Sequence, residues 1–297
     1  MPETIVVRRE HGLPYSKGVM AQELSRTGLA LGRSFELARV IERRLDTRGL
    51  EQITVHELRE LTEEVLSEEE GDGALRRYRD WRALDRLDRP LVVLVAGTTG
   101  VGKSTIATML AHRLGITRVI ATDVIRQVLR AFFSYEFMPA VHYSAYEAGK
   151  AVLGGSGDPD LVGYLEQARS VSTGVAAVVD RACSENTPLV VEGVHLVPGM
   201  LDPRLRERAV VVEALVTVGD EDLHRGHFSL RGGQRPRERY LAHFHQIRKL
   251  QEHLAGKATE NEIAVIDNVH VDEALQEVMD LVLAAAGRAS AREEKSQ

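Results

Sequence analysis

A nine-residue glycine-rich segment restricts the possible folds of this chain more than any other feature of its sequence. The segment is Gly97-Thr98-Thr99-Gly100-Val101-Gly102-Lys103-Ser104-Thr105, which satisfies the pattern G-x-x-x-x-G-K-[ST] and contains one further glycine. A chain that wraps around a phosphate group must turn tightly while its N–H groups point inward, and glycine permits such turns. The pattern therefore predicts a loop that binds nucleotide phosphates, and we call residues 97–105 the phosphate loop.

The sequence on either side of the phosphate loop supports the same interpretation. An apolar run, Leu91–Ala96, precedes it as a candidate strand, and Lys103–Leu114 follows with helical spacing of its apolar residues. The free N–H groups at the start of such a helix favour negative charge. We expect Lys103 to reach the β- and γ-phosphates of ATP and Ser104 to bind Mg²⁺, and we predict that the whole loop contacts the nucleotide.

Short apolar runs alternate with helical segments from Pro90 onward. The candidate strands are Leu91–Ala96, Val119–Thr122, Leu189–Glu192, Val210–Val218 and Ile263–Ile266. Continuous runs rich in Val and Ile are typical of strands covered by helices on both faces, and the alternation favours a parallel sheet. We therefore predict an α/β domain at residues 89–287, with the nucleotide-kinase-like fold of P-loop nucleoside-triphosphate hydrolases: a five-stranded parallel sheet flanked by helices.

Residues 1–88 are predicted to form a small, mainly helical domain that ends in a charged linker. Leu37, Ile41 and Leu45 recur with helical spacing, and Thr54 and Glu57 have the spacing of a capping box at the start of another helix. The charged stretch from residue 68 to residue 90 contains many arginines and is either a solvated linker helix or an anion-binding surface. The last residues, 288–297, are predicted to be a polar tail.

The composition argues against several functional classes. The 38 Lys and Arg residues and the 44 Asp and Glu residues give a formal net charge of −6, so we expect no nucleic-acid partner. Cys183 is the only cysteine, which favours a reducing compartment. The start of the chain lacks a secretory pattern, and no apolar run approaches the roughly 20 residues that cross a membrane. We expect a cytoplasmic protein with no membrane partner, and the oligomeric state stays open.

Two carboxylates follow predicted strands, at the edge where parallel sheets bind ligands. Asp123 follows the second strand, where it orients and deprotonates an acceptor hydroxyl, caps the next helix, or does both. Glu192 ends the third strand. We therefore predict that Asp123 is a catalytic and substrate-binding residue, and that Ser104 and Glu192 are the metal ligands.

Basic residues near these carboxylates are candidates for binding a negatively charged acceptor. Arg126 lies about one turn after Asp123, and Arg130 lies one turn further. At Arg130 the sequence is equally compatible with a substrate contact and with a charge on the surface. His195 follows Glu192 and is either a substrate contact or a structurally bonded histidine. We predict that Asp123, Arg126, Arg130 and His195 bind the acceptor.

Arginines and glycines are interspersed between the fourth and fifth predicted strands. The arginines are Arg225, Arg231, Arg235, Arg237 and Arg239. Such a segment suits a lid that closes over the γ-phosphate, although a solvated basic loop is the alternative. Because two glycines follow Arg231 directly, we predict that Arg231 is a catalytic residue together with Lys103 and Asp123.

These motifs together resemble those of the 2-phosphoglycerate kinase family. Besides the phosphate loop, the matching segments are Leu13–Gly18, Thr122–Arg126, Met138–Ala140 and Glu192–Gly199, within a resemblance that covers about residues 5–270. The resemblance implies transfer of the γ-phosphoryl group of ATP to the free hydroxyl of 2-phosphoglycerate, giving 2,3-bisphosphoglycerate, with ATP and Mg²⁺ as cofactors. It also implies that the N-terminal region resembles an ATP-cone, a small nucleotide-binding regulatory module.

Other functions stay open at this stage. Uridine kinase and phosphoribulokinase have a similar Glu-Gly pair after their third strand, so Glu192-Gly193 does not select the acceptor. A pocket rich in arginine suits any small anionic acceptor, and a sugar phosphate, nucleoside or inositol phosphate is the alternative substrate. A second functional class is a non-enzymatic ATP-dependent switch. Such a switch needs a flexible segment that contacts its partner, and the short tail is the only candidate for such a segment.

Overall fold

The computed structural model describes residues 4–8, 11–84, 86–230 and 237–295. These residues form two compact units. The first contains residues up to Leu87 together with those from Ala286 onward, and the second runs from Asp88 to Ala285. Two of the predicted lid arginines, Arg231 and Arg235, lie outside the described residues.

The first unit is small and mainly helical. Its strands are β1 (Ile5–Arg8), β2 (His11–Pro14) and β3 (Gln52–Thr54). They form a sheet of order β2-β1-β3, in which β1 pairs antiparallel with β2 and parallel with β3. The helices of residues 1–87 are α1 (Lys17–Ser25), α2 (Leu31–Arg48), α3 (Val55–Glu69) and α4 (Asp72–Leu84).

Local sequence explains where α3 begins, and burial explains why α4 belongs to this unit. The predicted capping box is confirmed, because Thr54 Oγ1 accepts from the Glu57 N–H at 3.1 Å and Glu57 Oε2 accepts from the Thr54 N–H at 2.8 Å. The interpretation of residues 68–90 as a solvated linker is wrong for α4. Its Tyr78 and Trp81 are buried, so one face of this arginine-rich helix joins the core of the first unit.

The second unit is built on a five-stranded sheet in which every neighbouring pair of strands is parallel. The strands are β4 (Leu91–Ala96), β5 (Val119–Ala121), β6 (Leu189–Gly193), β7 (Val210–Thr217) and β8 (Ala264–Asp267). Their order is β5-β6-β4-β7-β8, so β4 is central. The predicted fold class, a P-loop nucleotide-kinase-like parallel sheet flanked by helices, is confirmed.

Helices connect and cover these strands. They are α5 (Lys103–Leu114), α6 (Thr122–Phe132), α7 (Pro159–Ser184), α8 (Leu205–Arg208), α9 (Glu221–Leu230), α10 (Arg237–Ala242), α11 (Phe244–Glu260) and α12 (Val271–Glu294). Two 3-10 helices, Pro139–His142 and Ala145–Ala151, lie between α6 and α7. Residues 288–294 of the predicted polar tail belong to α12, which continues to Glu294 through alanine, arginine and glutamate residues that favour helix.

The core of the second unit lies around its central strands. Every residue of β4 and β6 is buried, as expected for parallel strands covered on both faces. The apolar side of α7, including Tyr164, Val171 and Val175, packs in the same cluster as Leu189 of β6. Because β6 pairs in parallel with both β4 and β5, the carboxyl ends of these three strands lie side by side. Within the described ranges, no helix has the length and apolar character needed to span a membrane.

Candidate active site

The phosphate loop connects the central strand β4 directly to helix α5. All three of its glycines adopt positive φ angles, +152° at Gly97, +94° at Gly100 and +84° at Gly102. A Cβ atom at Gly100 would lie 2.5 Å from the ring of Phe228, and one at Gly102 would lie 2.3 Å from Asn268 Nδ2. Both the backbone conformation and the close approach of neighbours therefore require glycine at these two positions.

Three consecutive carbonyl groups of the phosphate loop accept hydrogen bonds from distant side chains. The bonds run from His224 Nε2 to the Thr99 oxygen, from His227 Nδ1 to the Gly100 oxygen and from Asn268 Nδ2 to the Val101 oxygen, each 2.9 Å long. In a trans peptide unit, the C=O and the following N–H point in opposite directions. The N–H groups of residues 100–102 are therefore directed away from these donors, and with the start of α5 they form a site suited to an anion.

Lys103, Ser104 and Glu192 lie together at this site. Lys103 Nζ donates to the Thr98 oxygen at 3.3 Å and lies 4.0 Å from Glu192 Oε2. Ser104 Oγ donates to Glu192 Oε1 at 3.0 Å. Strand pairing explains this arrangement, because Glu192 on β6 stands opposite Val95 of β4, next to the start of the loop.

The same cluster fits a small divalent cation that is also bound by phosphate oxygens. Glu192 is buried, and its Oε2 atom has no hydrogen-bond partner. A carboxylate and a hydroxyl are the oxygen ligands that Mg²⁺ takes in phosphate-binding sites, where substrate oxygens and water complete its shell. The described residues contain no group of three or more His, Cys, Asp or Glu side chains arranged for a metal.

Asp123 and Arg126 lie in the first turns of α6. Arg126 is buried, its Nε atom donates to Asp123 Oδ1 at 3.2 Å, and its Nη1 atom donates to the Val141 and Tyr143 oxygens at 3.0 Å each. Although 58% of the Asp123 side chain is exposed, the protein around its carboxyl group partly desolvates it and raises its pKa, and the charges around it, including Arg126 and Lys103, nevertheless hold this pKa below its usual value. The alternative that Asp123 is the N-cap of α6 is wrong, because Ala121 occupies that position.

His195 is enclosed in the protein interior. It is 1% exposed, its Nδ1 lies 2.8 Å from Thr122 Oγ1, and its Nε2 lies 2.9 Å from Gln167 Oε1. Gln167 Nε2 donates to the Ala140 and Tyr143 oxygens, so Gln167 Oε1 must accept from the imidazole N–H.

These contacts favour the alternative that His195 is a structurally bonded histidine over the prediction that it binds the substrate. Burial lowers the pKa of His195 to about 4, so the ring is neutral at pH 7. Both ring nitrogens have hydrogen-bond partners within the protein. His195 links Thr122, at the start of α6, to Gln167 on α7, and Gln167 shares the Tyr143 oxygen with Arg126.

The remaining predicted basic residues differ in their surroundings. Arg130 is exposed on α6, and Arg231 lies outside the described residues. Arg225 pairs with Glu221 at 2.8 Å, and Arg239 pairs with the buried Glu147 at 2.6 Å. These two arginines already have carboxylate partners.

Sequence reasoning missed the residues that hold the phosphate loop from behind. His224 and His227 are three positions apart on α9 and therefore share a helix face, a signal that was available in the sequence. Gln167 gave no signal, because a single glutamine on an otherwise apolar helix face is common. Asn268 directly follows β8, and its side chain donates to the Val101 oxygen.

Curated proteins similar to this chain carry the same name in several archaea. The "2-phosphoglycerate kinase" of Methanopyrus kandleri is 35% identical over 282 residues, which cover 93% of this chain and 86% of that protein. The proteins of that name from Thermococcus kodakarensis and Methanothermobacter thermautotrophicus are 36% and 37% identical, over 91% and 87% of this chain and 93% and 86% of their own lengths. No family model matches the chain.

Solved structures with partial likeness include two small-molecule kinases. A gluconokinase from Sinorhizobium meliloti has a TM-score of 0.39 and 19% identity, over 70% of this chain and 98% of that chain. A shikimate kinase from Acinetobacter baumannii has a TM-score of 0.39 and 15% identity, over 68% of this chain and 97% of that chain.

Proposed function

This chain belongs to the 2-phosphoglycerate kinase family, and from that premise we propose that it transfers the γ-phosphoryl group of ATP to the free hydroxyl of 2-phosphoglycerate. The product is 2,3-bisphosphoglycerate. One observation carries the proposal: the phosphate loop, the Ser104–Glu192 pair and the Asp123–Arg126 pair meet at the carboxyl edge of β4, β5 and β6. Phosphoryl transfer needs these three parts, a phosphate cradle, a cation site and an acceptor site, within reach of one another.

The triphosphate is bound on the amide side of the phosphate loop. The N–H groups of residues 100–102 and those at the start of α5 donate to its oxygens, and Lys103 exchanges its bond with the Thr98 oxygen for one with the β- and γ-phosphates. We assign nucleotide contacts to the whole loop, residues 97–105. The positive charge of Lys103 balances the charge that spreads over the moving phosphoryl group.

Ser104 and Glu192 are the proposed protein ligands of Mg²⁺. The Glu192 Oε2 atom, which accepts no hydrogen bond within the protein, and the Ser104 hydroxyl supply the oxygen ligands that this ion prefers. When bound, Mg²⁺ neutralises part of the negative charge on the phosphates. The Glu192 carboxylate is buried, and the hydrogen bond from Ser104 Oγ to its Oε1 atom and Lys103 Nζ at 4.0 Å from its Oε2 atom orient it toward the phosphate loop.

Asp123 and Arg126 are the proposed acceptor site. At neutral pH Asp123 is a carboxylate, so it accepts a hydrogen bond from the acceptor hydroxyl and takes its proton as the new P–O bond forms and the bond to ADP breaks. Arg126 uses Nε and Nη1 for protein contacts, which leaves its Nη2 edge for the acceptor's phosphate or carboxylate. Arg130, one turn further along α6, is a second proposed contact, and Arg231 is proposed to supply charge to the γ-phosphate.

Other parts of the proposal concern the rest of the chain. We propose that residues 89–287 are the kinase domain and that residues 1–88 are an ATP-cone-like regulatory domain. Support for the second assignment is the small mainly helical unit with a three-stranded sheet. We further propose that the protein acts in the cytoplasm, where ATP and phosphorylated acids are available, and that its partner is a small anionic substrate.

The test is an acceptor screen with product identification. The purified full chain is incubated with ATP, Mg²⁺ and separate phosphorylated acids, sugar phosphates, nucleosides and inositol phosphates, and ADP release is followed. We expect release with 2-phosphoglycerate and a new phosphate ester in the ³¹P NMR spectrum. Stimulation by a different acceptor alone would replace the substrate, and ATP binding without any acceptor-stimulated release would favour the regulatory switch.

A matched variant separates this activity from a contaminant. Lys103→Ala removes the charge at the γ-phosphate and should abolish transfer to every acceptor in the screen. Lys257→Ala changes the same residue type on α11, where Lys257 pairs with Glu260 at 2.6 Å, and should leave transfer unchanged. Equal activity of the two variants would refute the assignment of the phosphate loop.

A further inference from the structure

We propose that His224 and His227 are positioning residues that set the ATP affinity of the phosphate loop by fixing the orientation of two of its peptide units. The inference rests on the proposed function, since it requires that phosphates bind to this loop. Neither histidine is expected to touch ATP. Each acts through a backbone carbonyl, the Thr99 oxygen for His224 and the Gly100 oxygen for His227.

The two peptide units that these histidines hold lie on either side of Gly100. Glycine rotates about its backbone bonds more freely than any other residue, and Gly100 has a φ angle of +94°. A rotation at this position would turn a carbonyl toward the phosphates and an N–H away from them. An anion site would then lose a donor and gain a negative dipole. A hydrogen bond to each carbonyl from behind opposes this rotation.

No other donor described for the loop can replace the histidines on these two carbonyls. Asn268 is bound to the Val101 oxygen, one peptide unit further along. Lys103 donates to the Thr98 oxygen, and it must turn to the phosphates when ATP binds. Among the described residues, only side chains of α9 therefore donate hydrogen bonds to the Thr99 and Gly100 carbonyls.

Packing makes α9 a rigid support for this role. His224 is fully buried, and its ring lies 5.4 Å from that of Phe228, nearly parallel, and 5.4 Å from that of Phe244, edge to face. Phe228 is in turn stacked on Tyr240 with a centroid distance of 5.0 Å. The ring of Phe228 also fills the space behind Gly100, because a Cβ atom on Gly100 would lie only 2.5 Å from Phe228 Cε1.

The bonds also define the tautomer of each ring. A carbonyl oxygen only accepts, so the proton must be on Nε2 of His224 and on Nδ1 of His227. This difference supplies conservative substitutions. A glutamine amide brings Nε2 near the position of the histidine Nε2, and an asparagine amide brings Nδ2 near the position of the histidine Nδ1. His224→Gln and His227→Asn therefore retain a donor, whereas His227→Leu removes it.

The experiment measures ATP affinity of the full chain by titration calorimetry. We expect His227→Leu to raise the Kd for ATP about tenfold, equivalent to about 1.4 kcal/mol, whereas His227→Asn and His224→Gln stay within about threefold of wild type. The KM for the acceptor should be unchanged in all three variants. His245→Leu, which alters an exposed histidine on α11, is the control and should leave the Kd unchanged.

Two outcomes would overturn the proposal. If His227→Leu binds ATP as tightly as wild type, the bond to the Gly100 oxygen does not set affinity. If His227→Asn loses as much affinity as His227→Leu, the donor is irrelevant and only the shape of the ring matters. A wild type that binds ATP but does not phosphorylate 2-phosphoglycerate would refute the proposed function instead, and the affinity comparison would still decide the role of the histidines.

Discussion

Replacement of Asp123 by asparagine separates chemistry from binding in the proposed mechanism. Asp123→Asn keeps the size of the side chain and removes its ability to take a proton from the acceptor hydroxyl. Arg126 should stay in place without the carboxylate, because two carbonyl oxygens also hold its guanidinium. The substitution therefore tests the role of the carboxylate while it leaves the arginine side of the acceptor site intact.

The expected loss of turnover is much larger than the expected loss of stability. General-base catalysis typically contributes about 10²- to 10⁴-fold, which is about 3–5 kcal/mol of activation free energy. The carboxylate of Asp123 is 58% exposed, so solvent screens its pair with Arg126 and that pair contributes at most about 1 kcal/mol to folding. For a unit of this size, such a change lowers Tm by at most about 4 °C.

The assay is steady-state ADP release with saturating ATP and acceptor, together with ATP titration and thermal unfolding. Asp222→Asn is a close control, because Asp222 also lies in the first turn of a helix and pairs with an arginine three residues later, Arg225, at 3.1 Å. We expect Asp123→Asn to lower kcat by at least a hundredfold with an unchanged Kd for ATP. Asp222→Asn should keep the wild-type kcat.

A kcat for Asp123→Asn within threefold of wild type would refute the reasoning. The carboxylate would then neither take the proton nor orient the hydroxyl, and the acceptor site would have to be sought elsewhere at the edge of the sheet. A loss of similar size in Asp222→Asn would also contradict it, since any charge change at a helix start would then have the same effect.

Three further predictions concern the residues around this site. Glu192→Gln should raise the Mg²⁺ concentration for half-maximal turnover by about tenfold or more with little effect on metal-free ATP binding, and an unchanged Mg²⁺ dependence in a kinetic titration would remove Glu192 from the metal site. Gly102→Ala should weaken ATP binding in calorimetry by more than about tenfold, because the new Cβ atom would lie only 2.3 Å from Asn268 Nδ2 and would push that side chain away. A wild-type affinity of this variant would contradict the loop geometry. In the unfolded chain His195 takes up a proton near pH 6.5, whereas in the folded protein it does so only near pH 4. The free energy of unfolding therefore decreases as the pH falls through that window. Measured by urea unfolding, wild type should therefore lose about 2 kcal/mol relative to His195→Gln between pH 7 and pH 5, and a constant difference would show that the buried ring is not held neutral.

Sequence predicted the second unit better than the first, and the reason is physical. The strands of the parallel sheet are continuous apolar runs, because helices cover both of their faces, and such runs are visible without any knowledge of their partners. Strands β2 and β3 have four and three residues, and their pairing with β1 depends on distant contacts. Burial of one face of α4 likewise depends on partners that local sequence does not identify.

The same distinction applies to the candidate site. The phosphate loop is a local motif whose conformation follows from its own glycines and from the helix it begins, so nine consecutive residues were sufficient to predict it. The bonds that hold it come from residues 125 to 167 positions away, and although His224 and His227 visibly share a helix face, no local pattern shows that their partners are carbonyls of this loop. His195 was ambiguous for the same reason, because its burial depends on Thr122 and Gln167, 73 and 28 positions away.

The most direct test of the central claim is a crystal structure of the full chain with a non-hydrolysable ATP analogue, Mg²⁺ and 2-phosphoglycerate. The account predicts that the N–H groups of residues 100–104 bind the β- and γ-phosphates, that the Thr99 and Gly100 carbonyls still face α9, and that the free hydroxyl of the acceptor lies within hydrogen-bond distance of Asp123. Phosphates bound away from residues 97–105, or an acceptor hydroxyl remote from Asp123, would contradict it.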